Sequence, residues 1–224
     1  NEGKGNYRLS KDRIPVMMTS GSCVRSADID SDGDEDLFLG GRLTPGLYPI
    51  APRSYILEND GRGYFTDVTE AKNADLLHPG MVTDALWSDF SGDGLSDLIL
   101  VGEWMPVRMF LNTGSTLEEI RDQDWMANSK GWWNSICYGD FDQDGDTDYL
   151  LGNMGLNFEI KPTPEEPVSV YAKDFDNNGT LDAVLSYYIS GRNYPMYPKD
   201  DLLSQLPGIN DKYTDYESYA DQTI

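Results

Sequence analysis

The chain has 224 residues, of which 39% are hydrophobic and 12% aromatic, so it is long and apolar enough to fold rather than remain disordered. Its formal net charge is -22, with 17 Lys and Arg against 39 Asp and Glu, which argues against a nucleic-acid partner because phosphate binding needs a basic surface. No apolar run approaches the roughly 20 residues of a membrane span, so the sequence predicts no transmembrane segment.

The first recognisable element is an Asn-x-Gly turn at residues 1–3, which recurs at 59–61 and 112–114 beside β-rich runs. Asn and Gly tolerate the positive φ values of hairpin turns, so each copy predicts a hairpin. Residue 1 then lies on a turn without its preceding strand. We expect either that this strand lies upstream or that the N-terminal strand completes a distant final sheet.

Four acidic loops share one frame, with Asp at positions one and nine and Gly at position six: residues 28–36, 89–97, 140–148 and 174–182. Alternate residues of a curled loop can point inward together, and flexible oxygen ligands suit Ca²⁺ better than Mg²⁺. We therefore predict up to four Ca²⁺ ions, held by the side chains at positions one, three, five and nine and by the carbonyl at position seven. The predicted ligands are Asp28, Asp30, Asp32, Asp34 and Asp36; Asp89, Ser91, Asp93, Leu95 and Asp97; Asp140, Asp142, Asp144, Asp146 and Asp148; and Asp174, Asp176, Asn178, Thr180 and Asp182.

These loops differ from an EF-hand, which needs a bidentate Glu at position twelve. Position twelve is Leu39, Leu100, Leu151 and Leu185 in the four copies, each inside an apolar run. The loops therefore lead into β-strands. Ser91 and Asn178 replace a carboxylate, so the second and fourth loops should bind the cation more weakly.

Apolar runs flank each loop, and each unit reads strand, acidic loop, strand, connector, strand, Asn-x-Gly turn, strand. Four antiparallel strands per repeat are typical of a β-propeller blade. The predicted fold is all-β, with about four blades in a single partial domain, 1–224. Prolines within 161–167 should shorten the third unit, and 200–206 and 211–220 should form helices within an insertion, 199–222.

Connectors after the second strand of each unit should lie on the face opposite the acidic loops. That face would collect a set that we call the ligand-face residues: Arg42, Trp104, Trp132, Trp133, Asn153, Asn157 and Arg192. Aromatic rings beside Arg and Asn suit stacking on sugars or anchoring a protein partner, although the same Trp residues also fit packing between blades.

The remaining reactive residues form no catalytic pattern. Cys23 and Cys137 lie on equivalent strands and fit either a disulfide or two buried thiols, and His78 is the single histidine, in a connector. With no nucleophile and base in a recognisable arrangement, the sequence does not predict an enzyme.

The loop frame followed by an apolar strand resembles the FG-GAP/VCBS repeat of integrin-α-type β-propellers. Segments 41–46, 80–85, 102–106, 131–134 and 152–157 are similar to VCBS-repeat proteins of Bacteroidetes, which are related to the cartilage acidic protein (ASPIC/UnbV) group. The resemblance covers nearly the whole chain. It implies a seven-bladed propeller with further blades outside this chain, exported and often lipid-anchored at the cell surface.

Three functions remain open from the sequence. The first is a calcium-braced, cell-surface or secreted module that binds a protein or a glycan. The second is a polysaccharide-acting enzyme whose catalytic residues lie largely outside this chain, and the third is a structural subunit of an outer-membrane complex.

Overall fold

The computed structural model describes residues 4–155 and 158–224. Strands make up 37% and helices 13% of the chain, and the strands form several antiparallel sheets, so the all-β prediction is confirmed. The chain divides into two compact units, one of residues 1–42 and 51–153 and the other of residues 43–50 and 154–224.

The first sheet belongs almost wholly to the first unit and has four strands in sequential order. They are β1 (Ser20–Ala27), β2 (Asp36–Leu43), β3 (Tyr55–Asn59) and β4 (Phe65–Asp67). The first acidic loop joins β1 to β2, and β3 and β4 pair antiparallel around the turn at 59–61.

The second sheet repeats this order with β5 (Met81–Ser88), β6 (Asp97–Met105), β7 (Arg108–Asn112) and β8 (Leu117–Glu119). The second acidic loop joins β5 to β6. Before β5 lie a short helix α1 (Thr69–Lys72) and a 3-10 turn (Ala74–Leu76).

A third hairpin extends the second sheet. Strands β9 (Gly131–Gly139) and β10 (Asp148–Asn153) pair antiparallel around the third acidic loop, after a short helix α2 (Asp124–Ala127). The start of β9 pairs with the end of β6, where Glu103 lies opposite Trp132. Within the described residues this repeat therefore supplies two strands, fewer than the two repeats before it.

The second unit contains β11 (Ser169–Lys173), β12 (Asp182–Ile189) and β13 (Arg192–Pro195), with the fourth acidic loop between β11 and β12. Three helices follow: α3 (Lys199–Gln205), α4 (Ile209–Lys212) and α5 (Tyr216–Ala220). An apolar cavity of about 350 Å³ lies between sheet residues such as Val184 and helix residues such as Leu202.

The C-terminal helices differ in detail from those expected. The predicted helix 211–220 is two helices, and Asp211 lies inside α4 rather than capping it. Asp215 interrupts the helix because its side chain accepts the Ser218 N–H in a capping box that starts α5. The local cap thus competes with helix continuation.

The core of the first unit centres on β6, whose apolar run is buried on both faces. Leu98 and Leu100 pack into one cluster with Phe38 and Phe110. Ile99, Val101 and the β9 residue Ile136 belong to a second cluster. Strand side chains alternate between faces, so a continuous apolar run is what a strand covered on both sides requires.

Hydroxyl groups link successive inner strands at equivalent positions. Ser22 Oγ on β1 donates to Val82 O (2.7 Å) on β5, and Thr83 Oγ1 on β5 donates to Trp133 O (2.9 Å) on β9. Each hydroxyl lies six residues before the first Asp of its acidic loop. The linkage is therefore part of the repeat.

Candidate metal loops and aromatic face

The four acidic loops share one backbone conformation, as a repeated function would require. Position six is a glycine at positive φ in every copy, for example 93° at Gly33 and 96° at Gly145. Position four also has positive φ in all copies, although only one of them is glycine; these residues are Ser31, Gly92, Gln143 and Asn177. Glycine at position six is part of the sequence frame, whereas position four has no common residue type that would reveal its positive φ.

The Asp at position one closes each loop. Its carboxylate accepts the N–H of the position-six glycine in all four copies, at 3.1 Å for Asp28 and Gly33 and at 2.9 Å for Asp174 and Gly179. The N–H of position seven in turn donates to the side chain at position five, as from Asp34 to Asp32 at 3.1 Å. The shared bonds keep several acidic side chains turned toward the middle of each loop.

The Asp at position nine ties the loop to the sheet and is buried in three of the four copies, whereas Asp148 is half-buried. Asp36 and Asp97 are 1% and 0% exposed. Asp36 accepts the N–H of Ile29 (3.1 Å) and of Asn59 (2.8 Å), and Asp97 likewise accepts the N–H of Asn112 (2.8 Å). A buried carboxylate needs such donors, so position nine has a structural role beside any metal role.

The described hairpin residues Asn59 and Asn112 hold the acidic loops through side-chain hydrogen bonds, and we call them the bracket Asn residues. Neither Asn59 nor Asn112 has positive φ; the turn glycines Gly61 and Gly114 do. Asn112 Nδ2 instead donates to Ser96 O (3.1 Å) in its own loop and to Ile29 O (2.9 Å) in the first loop. Contact with the acidic loops therefore explains Asn59 and Asn112, while the motif at residues 1–3 lies outside the described residues.

Three loops bring carboxylates together closely enough for one cation. Oxygen atoms lie within 4.8 Å of one another in three groups: Asp28, Asp30 and Asp32; Asp140, Asp142 and Asp148; and Asp174, Asp176 and Asp182. In the first loop Asp28 Oδ1 and Asp34 Oδ1 are buried without a hydrogen-bond partner. Burial, followed by the nearby Asp32 and Asp30 carboxylates, raises the pKa of Asp34. Unpaired, mutually repelling oxygens fit a hard cation.

The second loop is different. Among the described residues it forms no such group, and Asp89 already accepts three backbone N–H groups, those of Gly92 (2.7 Å), Asp93 (3.0 Å) and Gly94 (2.9 Å). This loop satisfies its first carboxylate internally. The predicted set Asp89, Ser91, Asp93, Leu95 and Asp97 is the poorest fit to a cation of the four.

Two of the ligand-face tryptophans form a pair. The rings of Trp104 and Trp132 lie 5.3 Å apart at 34°, and both side chains are half-buried. Trp104 has a φ of 58°, and the β6–β9 register shifts between Glu103 and Met105, so Trp104 occupies a bulge. Arg42 forms an ion pair with Glu103 beside them.

The remaining ligand-face residues have varied surroundings. Trp133 packs against the second core cluster, and its indole N–H donates to Ser129 O at 2.9 Å, so this ring contributes to the interior. Asn153 ends β10, and Arg192 is exposed on β13 in the second unit. Asn157 lies outside the described residues.

The cysteines and the histidine form no joint site. Cys23 is buried and Cys137 is exposed, and both are free thiols, so neither expectation for the pair, a disulfide or two buried thiols, matches the structure. The exposed His78 contacts Ala51 O through Nδ1. Within the described ranges no helix is both long and apolar enough to cross a bilayer.

Part of the chain matches a known protein family. Residues 89–151 match the family model for the FG-GAP-like repeat. The matched segment runs from the second acidic loop through β6–β9 and the third acidic loop into β10, and it supports the resemblance to the FG-GAP family there. No curated protein sequence matches the chain significantly. An all-β protein containing an FG-GAP-like repeat is thus the class that fold and match define, and this class suggests a propeller-type binding module.

Proposed function

We propose that this chain is a calcium-braced part of a β-propeller, exported to the cell surface or secreted, that serves as a rigid module for binding a protein or glycan. The observation that carries the proposal is the repetition of one acidic loop conformation four times, with the carboxylates of three copies gathered within 4.8 Å. An acidic turn in isolation is common without a metal, but four repeated loops, the first with two buried and unpaired carboxylate oxygens, favour a bound cation.

The first, third and fourth loops would hold the ions through their gathered carboxylates. A bound Ca²⁺ supplies positive charge that neutralises the carboxylates and fixes the hairpin. The chain's own residues then transmit this order to the sheet: in these three loops the Asp at position nine accepts the N–H of position two, and Asp36 also accepts the N–H of the bracket residue Asn59. Four ions are the upper bound, and the second loop is the weakest site.

The proposed role is binding rather than catalysis. A cation surrounded by carboxylates and carbonyls has no open position for a substrate, and the thiols and His78 do not assemble around a base. Export to the cell surface is proposed from the resemblance and from the net charge of -22, which calcium would partly neutralise.

Calcium stoichiometry tests the proposal directly. Metal-free protein is titrated with CaCl₂ in a calorimeter, and the bound calcium is counted after dialysis. We expect roughly three ions per chain from the three gathered loops, and about one fewer in Asp142→Asn because its loop loses a carboxylate. Asp122→Asn, an exposed residue outside the loops, is the matched control and should bind as the unaltered chain does. Absence of calcium binding at millimolar CaCl₂ would overturn the proposal.

A further inference from the structure

Trp104 is held in a conformation that bulky residues avoid. A φ of 58° costs an L-residue about 1–2 kcal/mol, and the bulge between Glu103 and Met105 turns this side chain out of the regular strand pattern. The result is a ring placed against Trp132. Strained residues at bulges persist where the surroundings fix them, and such sites are commonly functional.

Three side chains with planar polar groups lie near the Trp104–Trp132 pair. Glu103 lies directly opposite Trp132 in the sheet and is paired with Arg42; the two side chains are 7% and 32% exposed. A Cβ built on Gly131 would lie 2.7 Å from Asn153 Nδ2, so this amide lies beside the residue that precedes Trp132. A carboxylate, a guanidinium and an amide thus stand near two indole rings.

The pair lies far from the acidic loops. Strand β6 begins at Asp97 in the second loop and reaches Trp104 at its other end, while β9 begins near Trp132 and runs toward the third loop. Seven residues of extended strand span roughly 23 Å, about three Debye lengths at physiological salt. The loops and the aromatic pair therefore occupy opposite strand ends and have separate electrostatic environments.

We propose that the Trp104–Trp132 pair, with Arg42, Glu103 and Asn153, binds a neutral glycan, an assignment that rests on the proposed binding function. The flat C–H face of a pyranose ring stacks on an indole, and its hydroxyls pair with guanidinium, carboxylate and amide groups. Arg42, the one cation among these five residues, is already paired with Glu103, so polyuronates and sulfated chains would meet no unneutralised positive charge from this set. A neutral sugar meets both conditions.

The test uses the calcium-loaded chain and measures tryptophan fluorescence and calorimetric heat with the hexasaccharides of cellulose, xylan, mannan and polygalacturonate. We expect at least one neutral hexasaccharide to bind and hexagalacturonate not to bind. Trp132→Ala should weaken binding at least tenfold, and Trp132→Phe by less. Trp125→Ala, which removes a 53% exposed tryptophan on α2, is the matched control and should bind unchanged. Binding of no neutral hexasaccharide, or equal binding by Trp132→Ala, would overturn the assignment.

Calcium stoichiometry measured on the same samples separates the two proposals. If the chain retains calcium and its melting temperature but binds no sugar, the proposal of a metal-braced fold stands and the glycan assignment is wrong. Salt-sensitive binding of poly-lysine in place of any neutral sugar would instead indicate a basic protein partner and count against the glycan. Loss of calcium binding together with sugar binding would remove the proposed function itself.

Discussion

At Trp104 a backbone cost and an aromatic gain nearly balance. The left-handed conformation costs about 1–2 kcal/mol, whereas a stacked aromatic pair contributes about 0.5–1.5 kcal/mol beyond its buried area. Stacking alone therefore only offsets the backbone cost, and burial of the half-buried ring supplies the stability that remains.

The strained backbone at Trp104 predicts an unusual order of stability for two substitutions. Trp104→Ala keeps a Cβ at positive φ, whereas Trp104→Gly removes the clash, so the glycine variant should be the more stable by about 1 kcal/mol. Urea unfolding of the two variants measures the difference. Gly is normally the less stable substitution in a strand, and finding that ordinary order here would contradict the strain at Trp104.

At the scale of single elements, the turn between β7 and β8 is fastened through Asn112. This side chain belongs to a residue that is 4% exposed, and it makes three hydrogen bonds, to Ile29 O, Ser96 O and Gly114 N. Asn59 at the equivalent turn is less buried, and its side chain makes two hydrogen bonds, donating to Glu35 O and accepting from Gly63 N. The two turns share a motif, but Asn112 should contribute more than Asn59 to the free energy of unfolding.

Asn112→Ala should lower the free energy of unfolding by about 2–4 kcal/mol, since it leaves a buried carbonyl at Ile29 and a partly buried one at Ser96 without this donor. Asn59→Ala should cost roughly half as much because Glu35 O can turn to water. Guanidinium unfolding monitored by fluorescence gives both values. Equal costs would show that the link to the first loop contributes nothing.

Glu119, on strand β8, makes the stability of the fold depend on pH. Burial alone would raise the pKa of Glu119, but the ion pairs with Arg108 and Arg121 outweigh it and lower that pKa. Ionised Glu119 therefore adds stability that is complete above the unfolded pKa of about 4.3 and is lost as pH falls through the lower folded pKa. Glu119→Gln should cost about 2 kcal/mol at pH 7, and the difference in stability should narrow as pH falls below about 4.3. Unfolding curves from pH 7 to pH 3 measure it; a gap independent of pH would exclude this role.

Local periodicity made the strands and acidic loops predictable, because four copies of a frame can be compared within one chain. The bracket role of Asn59 and Asn112 could not be read from the turn motif, since it depends on partners in a distant loop. Position four at positive φ had a signal in Gly92 and Asn177, two residues that tolerate it. The pairing of Trp104 with Trp132 depends on a bulge and on a strand pairing that no sequence period encodes.

For the whole molecule, like-charge repulsion within the loops should make stability depend on calcium. Each site saturated to 100 times its dissociation constant adds about 2.7 kcal/mol, so three sites together outweigh most single substitutions. We expect EDTA to lower the melting temperature by more than 10 °C relative to 5 mM CaCl₂. Differential scanning calorimetry makes the measurement, and an unchanged melt with EDTA would contradict the metal proposal.

The Asp89 carboxylate is hydrogen-bonded within its own loop, so the second loop should be the last of the four to lose structure when calcium is removed. The loop that it closes feeds β6, the strand buried on both faces, so the middle of the chain keeps its hydrogen bonds without a cation. Chelation should therefore speed amide exchange with deuterium first around the first, third and fourth loops, while the amides of Leu98–Val101 remain protected. In calcium-poor surroundings such a chain should remain partly folded around β6, and it should form the hairpins of the other loops when calcium binds.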